Sequence, residues 1–408
     1  MKLSKLFTKT LKTNPADETA INAQLLIRGG FVSKVMAGVY EYMPLGWRVL
    51  QKINNIIREE LNKIGADELY LSVFQDRETW QATGRWDSAK EVMYQFKDTT
   101  GKEYGLGFTH EEPLTATARH YINSYKDLPK AVYQIQTKFR NEARAKSGLL
   151  RGREFLMKDL YSFHTTQEDL DQYYEKVATA YDTIFSRTGL KAVRTFASGG
   201  LFSRFSDEFQ VVSEIGEDTI YINEEKNRAV NKEVNTDEVL NELGWDKTKL
   251  VEKPAIEVGN IFKLGTRFSE PLKLSYTDES GDSKPVIMAS YGIGPGRVMG
   301  AVVEVSHDDK GIIWSEQIAP FKVHLISLGK NAEAEDVYQK LQASGIEVLY
   351  DDREDKAAGE KFADADLIGC PWRLVVSGKM ADDQIEIKKR PDPTPQVVKR
   401  SEIINLLK

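Results

Sequence analysis

The feature that most constrains this chain is a pair of strand-like stretches, residues 131–142 and 151–163, separated by about eight residues rich in charge and small side chains. Such text predicts a long antiparallel hairpin. Side chains two apart on a strand share a face. Gln134, Gln136, Lys138, Arg140 and Glu142 therefore fall together on one strand, and Arg151, Arg153, Phe155, Met157 and Asp159 on the other. Residues 138–153 carry six basic side chains and a single acid, Glu142, although the whole chain has a formal charge of −6. Net charge is a poor guide where basic groups cluster, because phosphate contacts are local. Arginine neutralises phosphate in a forked geometry, an aromatic face stacks a base, and a carboxylate accepts from an exocyclic amine. Periodicity supports a nucleotide-binding face and a solvent-facing sheet with cross-strand ion pairs equally.

Around the hairpin the text alternates helix and strand signals. Residues 47–64 have helical apolar spacing, closed by Gly65, and Leu69 to Phe74 alternate like a strand. Residues 167–188 read as a helix with Thr166 and Asp169 as its capping box. VIMASY (286–291) reads as a strand, followed by the glycine-rich turn GIGPGR and a helix beginning near Val298. That turn can present backbone N–H groups to an anion, with Arg297 beside it, but no Gly-Lys-Ser/Thr follows and it is no P-loop. Residues 223–253 are polar and read as an insertion or surface excursion. From Ile318 onward, about 90 residues of βαβαβ text predict a small α/β domain. The first part reads as α+β.

Several chemistries are excluded. Cys370 is the one cysteine, so no intrachain disulfide and no cysteine-built zinc site can form. The five histidines lack HExxH spacing, and no Ser/His/Asp arrangement is readable. No run of about 18 apolar residues predicts a membrane span, and the polar N-terminus does not resemble a signal peptide; the expectation is a cytoplasmic protein. Thr109 and Glu111 lie in a strand-like run, where they would share a face able to clamp an ammonium group; a strand edge with exposed polar residues fits the same text.

FRNE (139–142), RGREF (151–155) and Asp159 resemble motif 2 of the class II aminoacyl-tRNA synthetases. GIGPGR (292–297) resembles their motif 3, and the stretch from Gly38 through YEYMPLG to Gly65 their motif 1. LLIRGGFVSKVMAGVYEYMPLG, FTHEE, FLMKDLYSFH, EVGNIFKLGTRFS and MASYGIGPGR narrow the resemblance to prolyl-tRNA synthetases of bacterial type. DDREDKAAGEKFADADLIGCPWRLVVSGK is similar to the anticodon-binding domain of subclass IIa.

The resemblance implies a class II catalytic core, an antiparallel sheet flanked by helices, with an α/β anticodon-binding domain. It implies a catalytic domain over 1–222 and 255–317, a short polar insertion over 223–254, and the anticodon domain over 318–408. It also implies a ligase that activates L-proline with ATP and transfers it to tRNA(Pro). Arg140 would bridge the amino-acid carboxylate and the α-phosphate, Glu142 receive the adenine amine and Phe155 stack on the ring. Arg151 and Arg297 would hold the outer phosphates beside Gly294, and Glu257 and Asn260 would contact ATP or its Mg2+; no zinc is expected. Thr109 and Glu111 would recognise proline's ammonium, with Asp159, Phe262 and Ser290 completing the pocket. Arg144 and Lys146 are candidates for the acceptor end of tRNA, and Arg353 and Lys361 for the anticodon.

A homodimer is implied through motif 1. Three departures stand out: Phe108 where the family often has proline, Ser290 where many members have cysteine, and only the polar stretch where an editing domain often sits. The last implies synthesis without editing in cis, and a possible trans-editing factor. The rival readings are the same fold serving another amino acid, a catalytically inactive RNA-binding relative, and a generic ATP-dependent ligase.

Overall fold

A computed structural model describes residues 1–200 and 204–408. The chain forms two compact units, one of Met36–Val39 and Asn54–Ala301, the other of Met1–Val35, Tyr40–Ile53 and Val302–Lys408.

The first unit is built on a nine-stranded sheet: β1 (Asp67–Glu68), β2 (Lys130–Phe139), β3 (Glu154–His164), β4 (Ala192–Ser198), β5 (Phe205–Val212), β6 (Asp218–Asn223), β7 (Arg228–Asn231), β8 (Val251–Gly265) and β9 (Ile287–Ile293). Their spatial order is β5-β4-β7-β6-β8-β9-β3-β2-β1, and β5 also pairs with β8. All pairings are antiparallel except β4 with β7 and β1 with β2. The predicted hairpin is β2–β3, and helix α1 (Pro44–Lys63) buries Val49, Ile53, Ile56, Ile57 and Leu61 as its spacing requires.

The polar stretch expected as an excursion supplies β7 and the start of β8, so part of it is woven into this sheet. Its polar text reflects solvent-facing positions between a few buried ones, such as Val230, Val234 and Leu240. The strand expected over Leu69–Phe74 is interrupted. There the Gln134 side chain accepts from the Leu71 N–H at 3.1 Å, and the Gln136 amide donates to the Leu71 carbonyl. Two glutamines on the hairpin face thus take over ladder bonds.

Register aligns the site. Asp159 on β3 lies opposite Gln134 on β2 and Gly292 on β9, and Gly292 lies opposite Asn260 on β8. Two residues along, Tyr161, Ser290 and Phe262 form the next row. Because side chains alternate, both rows face one side of the sheet. The other face packs on helix α3 (Gln167–Thr188), which buries Leu170, Tyr174, Val177, Tyr181 and Ile184. Thr166 caps it, accepting from the Asp169 N–H at 3.2 Å, which is one half of the expected capping box; Asp169 Oδ2 lies 2.6 Å from His164 Nδ1.

The second unit carries the predicted α/β fold: β10 (Val323–Leu328), α5 (Asn331–Ala343), β11 (Val348–Asp351), α6 (Ala358–Ile368), β12 (Trp372–Ser377), β13 (Gln384–Lys389) and β14 (Gln396–Lys399), with strand order β11-β10-β12-β13-β14. In the first unit α2 denotes Glu111–Ala118, and α4 denotes Pro295–Val305, which begins in that unit. The N-terminal segment belongs to this unit: Tyr350 N donates to the Met1 carbonyl at 2.8 Å, a contact 349 residues apart that local text does not signal.

Candidate active site

One cavity of about 400 Å³ in the first unit brings together all thirteen residues expected at the ATP and proline sites: Thr109, Glu111, Arg140, Glu142, Arg151, Phe155, Asp159, Glu257, Asn260, Phe262, Ser290, Gly294 and Arg297. Its floor is the two rows of β3, β9 and β8. Its walls are the loop between β2 and β3, the start of α4 and the turn before α2.

At one end the Arg140 guanidinium stands 5.3 Å from the centroid of the Phe155 ring. Its Nε donates to the Phe108 carbonyl at 3.4 Å. Burial and the neighbouring Arg297 push the Arg140 guanidinium below its ordinary value, yet arginine stays charged at any physiological pH. Arg297 donates from Nε to the Leu150 carbonyl at 2.9 Å and from Nη1 to Glu257 Oε2 at 3.0 Å. Asn260 Nδ2 holds the other Glu257 oxygen at 2.8 Å. Arg151 bridges Glu142 at 3.0 Å and Glu217 at 2.7 Å. Arg151 is thus balanced by two carboxylates and Arg297 by one, and a polyphosphate entering the cavity would compete for those guanidinium groups.

The other end is smaller and more acidic. Glu111 is the first residue of α2 rather than part of a strand, because the preceding strand ends at Leu106. A carboxylate there complements the helix dipole. The Thr109 hydroxyl donates to Glu111 at 2.7 Å, and buried Arg85 stands 3.3 Å from Glu111 and 3.0 Å from Glu112. The Arg85 guanidinium also lies 5.4 Å from the Phe108 ring, so the phenylalanine at this position contributes to the packing around the acid pair. Burial pushes the Glu112 carboxyl up to about 7 against the opposing pull of Arg85. Asp159 is held as an anion: Lys138 Nζ lies 2.8 Å from Oδ1, and Gln134 and Tyr161 each donate to Oδ2 at 3.0 Å.

On the ATP side the cavity is lined by the carboxylates of Glu142 and Glu257. Among the described residues no group of three or more His, Cys, Asp or Glu side chains could hold a metal by itself. That donor set fits Mg2+, which usually binds through one or two carboxylates together with substrate phosphates.

Outside the cavity the outcome differs. Arg144 and Lys146 lie exposed on the β2–β3 loop, with Lys146 Nζ 3.5 Å from Glu217. Lys361, expected at the anticodon, is buried and donates to the Ser327 carbonyl at 2.8 Å. Arg353 is clamped by Asp351 at 2.6 Å and Asp364 at 2.8 Å. Lys361 ties α6 to β10 and Arg353 ties the end of β11 to α6, all within the second unit, so their charge is spent internally. Periodicity could not foresee this, because the partners come from other elements. Arg85 was not legible either. Lys138 was, since it shares the hairpin face with Arg140, but nothing local marked it as buried.

Comparison with known proteins agrees with this architecture. The family description tRNA synthetase class II core domain (G, H, P, S and T) matches residues 94–306, and the anticodon binding domain matches residues 322–408. The proline--tRNA ligase of Zymomonas mobilis is 38% identical over 437 positions, covering 100% of this chain and 98% of that protein. That of Exiguobacterium sibiricum is 34% identical over 560 positions, covering 100% of this chain and 99% of the relative. Among solved structures, Giardia lamblia prolyl-tRNA synthetase in complex with prolyl-adenylate superposes with a TM-score of 0.78 at 20% identity, covering 93% of this chain and 74% of that one, which bears on the fold.

Proposed function

Starting from the premise that the chain belongs to the proline--tRNA ligase family of class II tRNA synthetases, we propose how its cavity performs that activity. The protein is an aminoacyl-tRNA ligase: it activates proline with ATP to prolyl-adenylate and transfers the prolyl group to tRNA. The observation that carries the site assignment is the single cavity shared by Arg140, Phe155 and Arg297 with the Thr109–Glu111 pair and Asp159.

In the first step proline's carboxylate attacks the α-phosphate of ATP and pyrophosphate leaves. The protein supplies no nucleophile. It aligns two anions that repel, and alignment of this kind contributes about 7–11 kcal/mol. Arg140 lies between the acidic end and the Arg297 end, so one guanidinium reaches both reactants. Phe155 offers its ring to adenine, and Glu142 its carboxylate to the exocyclic amine. Arg151 and Arg297 take the outer phosphates. Glu257 would hold Mg2+ together with those phosphates, and the ion would neutralise charge developing on them. Glu111 and Thr109 receive the secondary ammonium, while Phe262 and Ser290 line the ring pocket. In the second step the terminal ribose hydroxyl of tRNA attacks the carbonyl of prolyl-adenylate, the bond to phosphate breaks and AMP leaves, with Arg144 and Lys146 near the acceptor end.

Absence of editing in cis is part of this reading. The Exiguobacterium alignment spans 560 positions against 408 residues here, so at least 152 (560 less 408) have no counterpart. The polar 223–254 stretch contributes β7 and the start of β8 to the core sheet, which supports a role other than a separate editing module. A homodimer, a cytoplasmic setting and a factor that clears mischarged tRNA in trans complete the proposal. Among the described residues no helix is long and apolar enough to cross a membrane. ATP–pyrophosphate exchange across the twenty amino acids tests the reading: strong exchange with proline supports it, and exchange with another amino acid alone, or with none, overturns it.

A further inference from the structure

Behind the proline end of the cavity lies a closed ring of buried polar groups that the two-step reaction leaves unexplained. Lys138 and His110 are both fully buried, and neither lines the cavity. Lys138 Nζ lies 2.6 Å from His110 Nδ1 and 2.8 Å from Asp159 Oδ1. The His110 backbone N–H donates to the Tyr161 hydroxyl oxygen at 3.1 Å, and that hydroxyl donates to Asp159 Oδ2 at 3.0 Å. The ring closes through Asp159 back to Lys138.

The tautomer follows from the partners. His110 Nε2 lies 3.0 Å from the Ser72 carbonyl, which can only accept, so Nε2 carries the proton. Nδ1 then has a lone pair for the Lys138 ammonium. Burial first, and the adjacent ammonium second, push the imidazole down to about 4, so it stays neutral. The charged or titratable groups facing this ring are Lys138 from β2, Asp159 and Tyr161 from β3, Glu111 beside His110, and Arg140 beyond the end of β2. An ammonium with no solvent exposure is costly, and an apolar side chain of similar volume would serve mere packing at least as well.

The ring joins the floor of the proline end to one of its walls. The floor is β3, through Asp159 and Tyr161. The wall is the Thr109–His110–Glu111 turn. We propose that Lys138 is a positioning residue for proline: by bridging Asp159 and His110 it fixes the Asp159 carboxylate and the Thr109–Glu111 pair at one spacing, without touching substrate. The inference rests on the proline reading of the cavity and names the device behind its selectivity.

Pyrophosphate exchange on the full-length protein tests it, with proline and ATP varied separately. Lys138→Met should raise KM for proline at least ~tenfold and move KM for ATP by less than about twofold. An unchanged KM for proline, or equal rises in both KM values, overturns the proposal. Wild-type protein lacking proline-dependent exchange overturns the proline reading itself and this inference with it, whereas an active wild type with an unaffected variant overturns only the inference. Should Lys138→Met fail to fold, nitrogen-15 histidine spectra of wild type decide. His110 should be neutral and protonated on Nε2 at pH 7, and an imidazolium or an Nδ1 proton there refutes the ring.

Discussion

The Arg140 guanidinium lies 5.3 Å from the centre of the Phe155 ring. Phe155 lies on β3 and Arg140 one residue past the end of β2, and Lys138, two before Arg140, sits directly across from Phe155. A cation and an aromatic plate are thereby held against each other, with a geometry suited to a base on one side and a phosphate on the other.

Arg140→Ala should abolish proline-dependent pyrophosphate exchange, a fall of ~10²–10³ or more. One guanidinium serves both reactants, so no neighbour replaces it. Near wild-type exchange in a variant with an unaltered circular dichroism spectrum would remove Arg140 from the reaction.

Phe155→Ala should weaken ATP binding by about 1–3 kcal/mol, the range for loss of a base-stacking ring. Titration calorimetry with ATP reads it directly. The same affinity with and without the ring would place adenine elsewhere.

Glu111→Gln should raise KM for proline far more than KM for ATP. Glu111 already holds the Thr109 hydroxyl and faces Arg85. Breaking a buried ion pair costs about 3–5 kcal/mol, although Glu112 retains Arg85 and softens the loss. Equal changes in both KM values would assign Glu111 to the scaffold.

Alanine is smaller than proline, and a few missing methylene contacts give about 1–3 kcal/mol of discrimination. The pure protein should therefore form Ala-tRNA(Pro) and leave it intact. Rapid loss of alanine from preformed Ala-tRNA(Pro), measured against a no-enzyme control, contradicts synthesis without editing.

His324 on β10 is buried, and among the described residues neither of its ring nitrogens has a hydrogen-bond partner. Burial lowers its pKa from 6.5 to about 4, with Asp351 and Asp364 opposing and Arg353 and Arg373 assisting. The unfolded chain therefore takes up this proton first. Stability present above about pH 6.5 is lost as pH falls toward 4, by as much as about 3 kcal/mol from this group. In melting curves, His324→Leu should gain on wild type as the pH drops from about 7 to 4.5. A gap independent of pH would show that His324 does not titrate on unfolding.

The alternation of the β2–β3 hairpin determined, without any coordinates, that Arg140 shares a face with Lys138 and that Phe155 shares one with Asp159. Helical spacing likewise determined α1, α3 and the βαβ text of the second unit, since period is a local property of a chain. What local text could not decide is which of those side chains meet water, substrate or one another. Lys138 and Arg140 have the same period and nearly the same charge. Only the turn that brings His110 against β2 buries the first, while the second is left lining the cavity. Lys361 and Arg353 looked available for RNA until β11 and α6 supplied carboxylates to Arg353 and β10 a carbonyl to Lys361. Apart from Asp351, two residues from Arg353, these partners come from other elements, so it is the tertiary structure that sets burial and pairing.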